Sequence, residues 1–387
     1  MIQAPFHILF SGGVTGGHLF PGLAVAERLV ALRPEAKITF AGAGRSLDRQ
    51  AVFEAGFDYL GVPCHATPRR LVEVPRFLTT NRKGFRKAAR FLRENRIDAV
   101  VGLGGYASVP AARAAAHAGI PLVLLEQNLV PGRATRWLAR SAKLVLLSFS
   151  ETRTQLHTQG KTLVVGNPVR EAFRSTTPAA KSQTKKPRLL VLGGSQGARE
   201  LNEQVPRALY RCRATLSSWE ILHQSGSPSH ADAASLYRKF GLPARVVPFV
   251  HDMAALMKSA DLVIARAGGT TLAELAVTGT PAVLCPLHTA ADDHQRRNAE
   301  YFAAQGAAKL VDAHTVGCRL DVLLGDEIEP LLTCAQERAA LSAGMTRLAR
   351  PDAAERAAQR ILELAGADVF AAPAPLLSGR AAVEIGG

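Results

Sequence analysis

Residues 189–199 read Leu-Leu-Val-Leu-Gly-Gly-Ser-Gln-Gly-Ala-Arg. Four apolar residues run into Gly193, Gly194, Ser195, Gln196 and Gly197, and a helix-compatible stretch over 198–210 follows. This is the pattern of a buried strand feeding a tight turn and a helix N-terminus. Glycines let a ligand approach the backbone closely, and the free N–H groups at a helix start favour an anion. A phosphate is therefore expected over residues 193–197. The same succession opens the chain, where the apolar residues 6–10 run into Ser11-Gly12-Gly13-Val14-Thr15-Gly16-Gly17-His18. Two such starts at this separation predict two α/β domains whose loops face one cleft.

Neither loop has the Gly-x-Gly-x-x-Gly spacing of a dinucleotide fold or the Gly-Lys-Ser/Thr ending of a P-loop, which disfavours NAD and ATP. A nucleoside diphosphate attached to another group is the natural ligand. The length of 387 residues fits two domains, and 47% hydrophobic residues suffice for their cores. A net charge of +15 calls for an anionic partner: nucleic acid, a membrane surface or a phosphorylated substrate. The five cysteines have neither finger nor Cys-x-x-Cys spacing, so no zinc site or disulfide framework is expected. No apolar run approaches 18 residues and no signal-peptide pattern opens the chain, so neither a spanning helix nor a secretory leader is predicted.

In chain order, the first strand (8–10) leads to a helix over 21–32 with Pro21 in its first turn, then a strand at 37–41 and a helix at 47–55. Strands follow at 98–103, 121–125, 144–148 and 162–165, with a helix at 109–118 and another that carries Trp137 and Arg140. Polar residues 174–187 form the linker. The second half gives strands at 189–192, 219–224, 245–249, 262–265 and 281–284. Its helices fall at 231–240, 252–257, 271–277 and 292–305, then 335–345 and 352–365. Strands alternating with helices imply parallel sheets covered on both faces.

Residues 62–96 interleave Leu71, Val72, Phe77, Leu78 and Phe85 with nine Arg and Lys between positions 69 and 93. One reading is a patch for an anionic membrane and another an ordinary amphipathic helix with its apolar face on the core; a nucleic-acid surface is a third, disfavoured by sparse aromatics and the lack of a reader motif. Polar groups at strand ends gain interest because open parallel sheets bind ligands there. Glu126 and Asn128 close the strand at 121–125, and His18 opens a helix that would favour its neutral form. Either His18 or Glu126 could act as a general base. Glu274, one turn into the helix after Arg266 and Gly268-Gly269-Thr270, either accepts from ribose hydroxyls or merely favours the helix start.

Together these motifs resemble the MurG family of glycosyltransferases. The resemblance rests on residues 11–21 (SGGVTGGHLFP), 104–110 (GGYASVP), 126–132 (EQNLVPG), 166–170 (GNPVR), 193–202 (GGSQGARELN), 223–226 (HQSG) and 293–299 (DHQRRNA), in family order from about residue 6 to 362. It implies a GT-B fold: two Rossmann-like domains with parallel sheets facing a central cleft. Expected boundaries are 1–170 for an acceptor- and membrane-binding domain, 171–187 for a linker and 188–345 for a donor domain. A C-terminal helix (346–366) should pack back on the first domain, followed by a flexible tail (367–387).

The implied reaction is inverting β-1,4 transfer of N-acetylglucosamine from its UDP donor to the lipid-linked muramyl-pentapeptide called lipid I, giving lipid II for peptidoglycan. His18 or Glu126 would be the base. Thr15, Gly16, Gly17, Tyr106 and Asn128 would line the acceptor half. Asn167, Arg170, Ser195, Gln196, Phe249, Val250, Gly269, Thr270, Glu274, His294, Gln295 and Asn298 would hold the donor. Leu71, Val72, Phe77, Leu78 and Phe85 would meet the cytoplasmic face of the membrane, as in a peripheral enzyme. No tightly bound cofactor or metal is implied, a divalent cation being at most an enhancer. Partners would be UDP-N-acetylglucosamine, lipid I, anionic lipid and other cell-wall proteins, not nucleic acid. Three positions depart from the family pattern: Val14 for glycine, Leu125 for histidine and Thr135 for asparagine. The rival readings are another nucleotide-sugar transferase, a basic nucleic-acid binder and an inactive membrane scaffold.

Overall fold

The computed structural model of the protein describes residues 6–13, 15–68, 70–174, 186–193, 198–227, 230–313 and 317–366. Val14, Ser195, Gln196, most of the expected linker and the expected tail lie outside them.

The first sheet contains β1 (His7–Ser11), β2 (Lys37–Gly42), β3 (Asp58–Gly61), β4 (Ala99–Gly102), β5 (Leu122–Glu126), β6 (Leu144–Leu147) and β7 (Lys161–Val164). The second contains β8 (Arg188–Leu192), β9 (Glu220–Gln224), β10 (Ala244–Val247), β11 (Leu262–Ala265), β12 (Ala282–Leu284) and β13 (Ala308–Leu310). All neighbours are parallel, in the orders β3-β2-β1-β4-β5-β6-β7 and β10-β9-β8-β11-β12-β13. Continuous apolar strands such as Leu-Val-Leu-Leu in β5 and Leu-Val-Ile-Ala in β11 are buried on both faces, as parallel sheets require. Each sheet accordingly has a core on either side.

Strand order reverses beside β1 in one sheet and beside β8 in the other. Loops leaving neighbouring strands diverge at such a point and open a crevice at their carboxyl ends. The loops concerned are those after β1, β4, β8 and β11. They include both glycine-rich turns from which the sequence was read.

Several expected elements change. The first helix runs Gly16–Leu32, so Pro21 lies inside it rather than in its first turn. The helix expected from 292 is His294–Ala304, because Asp292 and Asp293 take left-handed backbone (φ 51° and 56°) that an α-helix cannot include. β3, β13 and the helix Leu320–Thr333 were not anticipated. The chain is ordered past 170: Glu171–Arg174 is a short helix, and Phe173 is buried beside Val169 among second-domain residues. The last helix, Ala353–Leu364, places Ala357, Ala358, Ile361 and Leu362 in the first domain's core. Arg28 of the Gly16–Leu32 helix pairs with Glu355 at the same contact.

Candidate active site

Two consecutive left-handed glycines, Gly104 (φ 94°) and Gly105 (φ 70°), turn the chain sharply after β4. A Cβ on Gly104 would stand 2.9 Å from the His18 ring, so only glycine lets that ring lie against the turn. His18 occupies the first turn of Gly16–Leu32, and its Nδ1 shares a 3.1 Å hydrogen bond with Thr15 Oγ1. Burial, and then the charge of His294 across the cleft, lower its pKa to about 4. The imidazole is therefore neutral at physiological pH. Thr15 and Gly17 are exposed beside it, and Gly16 and Tyr106 are half-buried, so the four line one wall.

Glu126 does not face that wall, which corrects the expectation of a cleft-facing carboxylate. It is 4% exposed, and its oxygens accept from Asn128 N (3.1 Å), Asn128 Nδ2 (3.4 Å) and Gly132 N (3.0 Å). Thr135, one of the departures from the family pattern, donates as well. Burial raises the carboxyl pKa, and these four donors oppose the rise. Glu126 thus pins the turn 127–132. Leu125 beside it points into the first-domain core.

The amide of Asn128 also reaches the second domain, since its Oδ1 accepts from Asn298 Nδ2 at 3.0 Å. Asn298 is fully buried, gives a second hydrogen bond to Ala267 O (3.0 Å) and accepts from Leu129 N (2.9 Å). Asn298, fully buried with both amide hydrogens engaged, is corrected from a donor contact to an interdomain strap, whereas half-buried Asn128 shares in that strap and keeps one N–H and one carbonyl lone pair for a sugar. Two more contacts close the same seam. Pro21 has no N–H to occupy the carbonyl four residues earlier, Gly17 O, and that carbonyl accepts from Thr270 Oγ1 of the second domain at 2.7 Å. Gly269 lies so near Gln127 O that a Cβ would come within 2.2 Å. Thr270 and Gly269 therefore act first as interdomain contacts.

On the donor side, Glu274 is 6% exposed and 3.2 Å from Arg170 Nη2. Burial raises its pKa to about 7 against the opposing pull of Arg170. The Arg170 guanidinium is stacked over Phe20 (4.3 Å) and lies 5.1 Å from Phe173. Arg266 binds Cys285 O (3.0 Å), Pro286 O (3.1 Å) and Glu200 (2.9 Å), joining the ends of β11 and β12 to the helix Arg199–Arg211. That helix begins directly after residues 194–197, so Ser195 and Gln196 themselves lie outside the described residues. His294 anchors Nδ1 on Ala291 O at 2.8 Å. Gln295 Oε1 accepts from Leu287 N at 3.0 Å, so its carbonyl serves the loop and its NH2 is the group left for a sugar. Phe249 is 54% exposed with Val250 half-buried beside it. Asn167 is buried, and neither of its side-chain atoms has a protein partner.

Two histidine and asparagine positions in the quoted motifs are structural. His223 is fully buried between Tyr237 OH and Asn202 Oδ1, both at 2.9 Å, and burial lowers its pKa to about 3. Two participants escaped the sequence reading: Asp292, which pairs with Arg136 across the cleft, and Pro21 through Gly17. The only signal for the first is a non-glycine residue at a left-handed position, which sequence does not display. Among the described residues no group of three His, Cys, Asp or Glu is placed to hold a metal ion.

The basic segment forms a turn (Leu71–Glu73) and the helix Val74–Glu94. Leu71 is 89%, Val72 82% and Leu78 59% exposed. Phe77 is half-buried. Phe85 packs against the first-domain core and meets His117 edge-on at 6.0 Å, so its expected lipid contact is corrected to a packing role. No described helix is long and apolar enough to cross a membrane.

Residues 8–147 match the glycosyltransferase family 28 N-terminal domain and residues 188–356 its C-terminal domain. The chain is 39% identical to the UDP-N-acetylglucosamine--N-acetylmuramyl-(pentapeptide) pyrophosphoryl-undecaprenol N-acetylglucosamine transferase of Sorangium cellulosum, covering 97% of this chain and 93% of that protein. It is also 39% identical to the Methylococcus capsulatus protein of the same name, over 93% and 99% of the two. The crystal structure of Acinetobacter baumannii MurG superposes with a TM-score of 0.72 at 29% identity, covering 93% of this chain and all of that one. A kitacinnamycin glycotransferase (TM-score 0.68, 21% identity) shares the fold. With two parallel-sheet domains around a cleft of GT-B type and both family models matched in order, the chain belongs to glycosyltransferase family 28 and, within it, to the MurG transferases.

Proposed function

We propose that this chain moves N-acetylglucosamine from its UDP donor to the C4 hydroxyl of the muramyl sugar in undecaprenyl-pyrophosphoryl-muramyl-pentapeptide, with inversion. The product is the β-1,4 disaccharide lipid II, and the enzyme works as a peripheral protein on the cytoplasmic face of the membrane. One observation carries the mechanism: a neutral His18 on one domain faces His294 of the other across the crevice that both sheets open.

His18 is the base. With Nδ1–H donating to Thr15 Oγ1, the lone pair on Nε2 is free to take the C4 proton as the oxygen attacks the anomeric carbon. The sugar comes from the opposite face, held by His294 and the Gln295 NH2. Glu274 accepts from the ribose hydroxyls, and the Phe249–Val250 backbone meets uracil. Charge growing on the departing diphosphate is met by the 193–197 backbone, Ser195, Gln196 and Arg170. Asn167, whose side-chain amide has no protein partner, is left to bind the donor. Inversion in one displacement needs no covalent enzyme intermediate. Glu126 positions the acceptor wall through the 127–132 turn rather than taking the proton.

The variants His18→Ala and Glu126→Gln separate the two candidates. His18→Ala should lower kcat by roughly 10²–10⁴-fold with little change in the donor KM. Glu126→Gln keeps a carbonyl for Gly132 N and should lose less than about tenfold. The reverse ranking, measured as kcat on a lipid I analogue, would move the base to Glu126.

A further inference from the structure

Trp137 has no role in the site described above, yet it is 47% exposed. The chain's other tryptophan, Trp219, is 3% exposed and lies under the Arg338 guanidinium at 5.1 Å. An exposed indole is costly in water unless a partner covers it, and its amphipathic ring suits a lipid head-group region.

The helix Val109–His117 touches both the basic helix and this ring. Leu78 and Phe85 are seven residues apart and share one face of Val74–Glu94, and Leu71 lies in the turn that precedes this helix. Phe85 meets His117 at 6.0 Å. One turn earlier on the helix Val109–His117 is Arg113, whose guanidinium lies 4.7 Å over the Trp137 ring. Arg113 is exposed over the ring, and Arg140 and Lys143, three and six residues further along the chain from Trp137, are exposed as well. The helix Val109–His117 thus links the basic helix, which carries the exposed Leu71–Leu78 patch at its start, to the Arg113–Trp137 pair on the Arg133–Leu138 helix, which directly follows the Glu126-pinned turn.

We propose that Trp137 is a second membrane anchor, its indole at the head-group level of an anionic bilayer with Arg113, Arg140 and Lys143 on lipid phosphates. This rests on the membrane-docking reading given above and extends it. One anchor would tether the protein but let it swivel. A second one, beside the acceptor wall, fixes the direction in which the cleft opens towards a lipid-linked substrate.

Two tryptophans, one exposed and one buried, allow a direct optical test on the full chain. Vesicles of phosphatidylglycerol and phosphatidylcholine, with or without brominated acyl chains, are titrated while tryptophan emission is followed. The expected result is a blue shift and bromine quenching that vanish in Trp137→Phe, where only Trp219 remains. Trp137→Ala should weaken vesicle affinity roughly tenfold, and Arg113→Glu should weaken it by about tenfold or more at low salt. Neither should change kcat on a water-soluble acceptor analogue. Binding that Leu78→Glu weakens but that leaves Trp137 unshifted and unquenched would overturn the second anchor and spare the first. Failure of the unaltered chain to bind would overturn both. A concentration-dependent shift without lipid would assign the ring to a second copy of the chain and also overturn the proposal.

Discussion

His18 and Glu274 are both driven towards their neutral forms by burial, with opposite consequences for function. The histidine needs neutrality to accept a proton, so its value near 4 keeps it competent at all physiological pH. The acid limb of kcat/KM should accordingly fall near pH 4 rather than 6.5. His294→Gln should raise that limb by removing a repelling charge. A limb at 6.5 in a pH–rate series would show an unperturbed base. Because folding lowers the His18 pKa, the unfolded chain binds more protons between about pH 4 and 6.5. Stability contributed by this group is therefore lost as pH falls through that window.

Glu274, raised to about 7, must ionise to accept two ribose hydroxyls, so donor affinity should rise with pH through about 7. Arg170→Met removes the opposing cation and should move the midpoint to higher pH; a midpoint that stays put in donor KM profiles would detach Arg170 from Glu274. For stability the sign reverses: folding raises this pKa, so the ligand-free contribution declines as pH rises from about 4.5 to 7. Both residues were visible in the sequence because each follows a glycine turn at a strand end. Glu126 looked equivalent there, and only the side-chain direction separates them. Four donors turn it towards its own loop, which no spacing reveals.

Among the elements, the first helix shows how a local rule becomes a long-range contact. Pro21 leaves Gly17 O without its intrahelical donor, and Thr270 supplies one from the start of Gly269–Thr278 in the other domain. Thr270→Val should loosen the seam while leaving both domains folded, seen as a larger radius of gyration in solution scattering and an unchanged far-ultraviolet spectrum. An unchanged radius would show that the remaining seam contacts hold the domains without the Thr270 bond. The closing helix is more demanding. Ile361 is fully buried in the first domain's core, and Ile361→Ala should cost about 2–5 kcal/mol in denaturant unfolding. Strand and helix periodicity made most elements legible, since Val/Ile/Leu runs bounded by glycine have few alternatives. β13 and Leu320–Thr333 escaped because a three-residue strand carries no period and Gly325 and Pro330 interrupt the helix pattern. The start of His294–Ala304 escaped because two left-handed aspartates look like a first helical turn on paper.

Across the whole molecule, the two sheets turn their switch points towards one crevice and the base and donor groups divide between them. Transfer therefore requires both domains at once. The net charge of +15 fits a molecule whose substrate is embedded in an anionic surface. The two-domain architecture could be read from its paired glycine loops, but the seam that joins the domains could not, because its contacts pair residues more than 100 positions apart. The most direct test is transfer of labelled N-acetylglucosamine from its UDP donor to a lipid I analogue by the purified chain. The account predicts a new β-1,4-linked disaccharide. An α-linked product, or no transfer by folded protein that still binds the UDP donor, would contradict it.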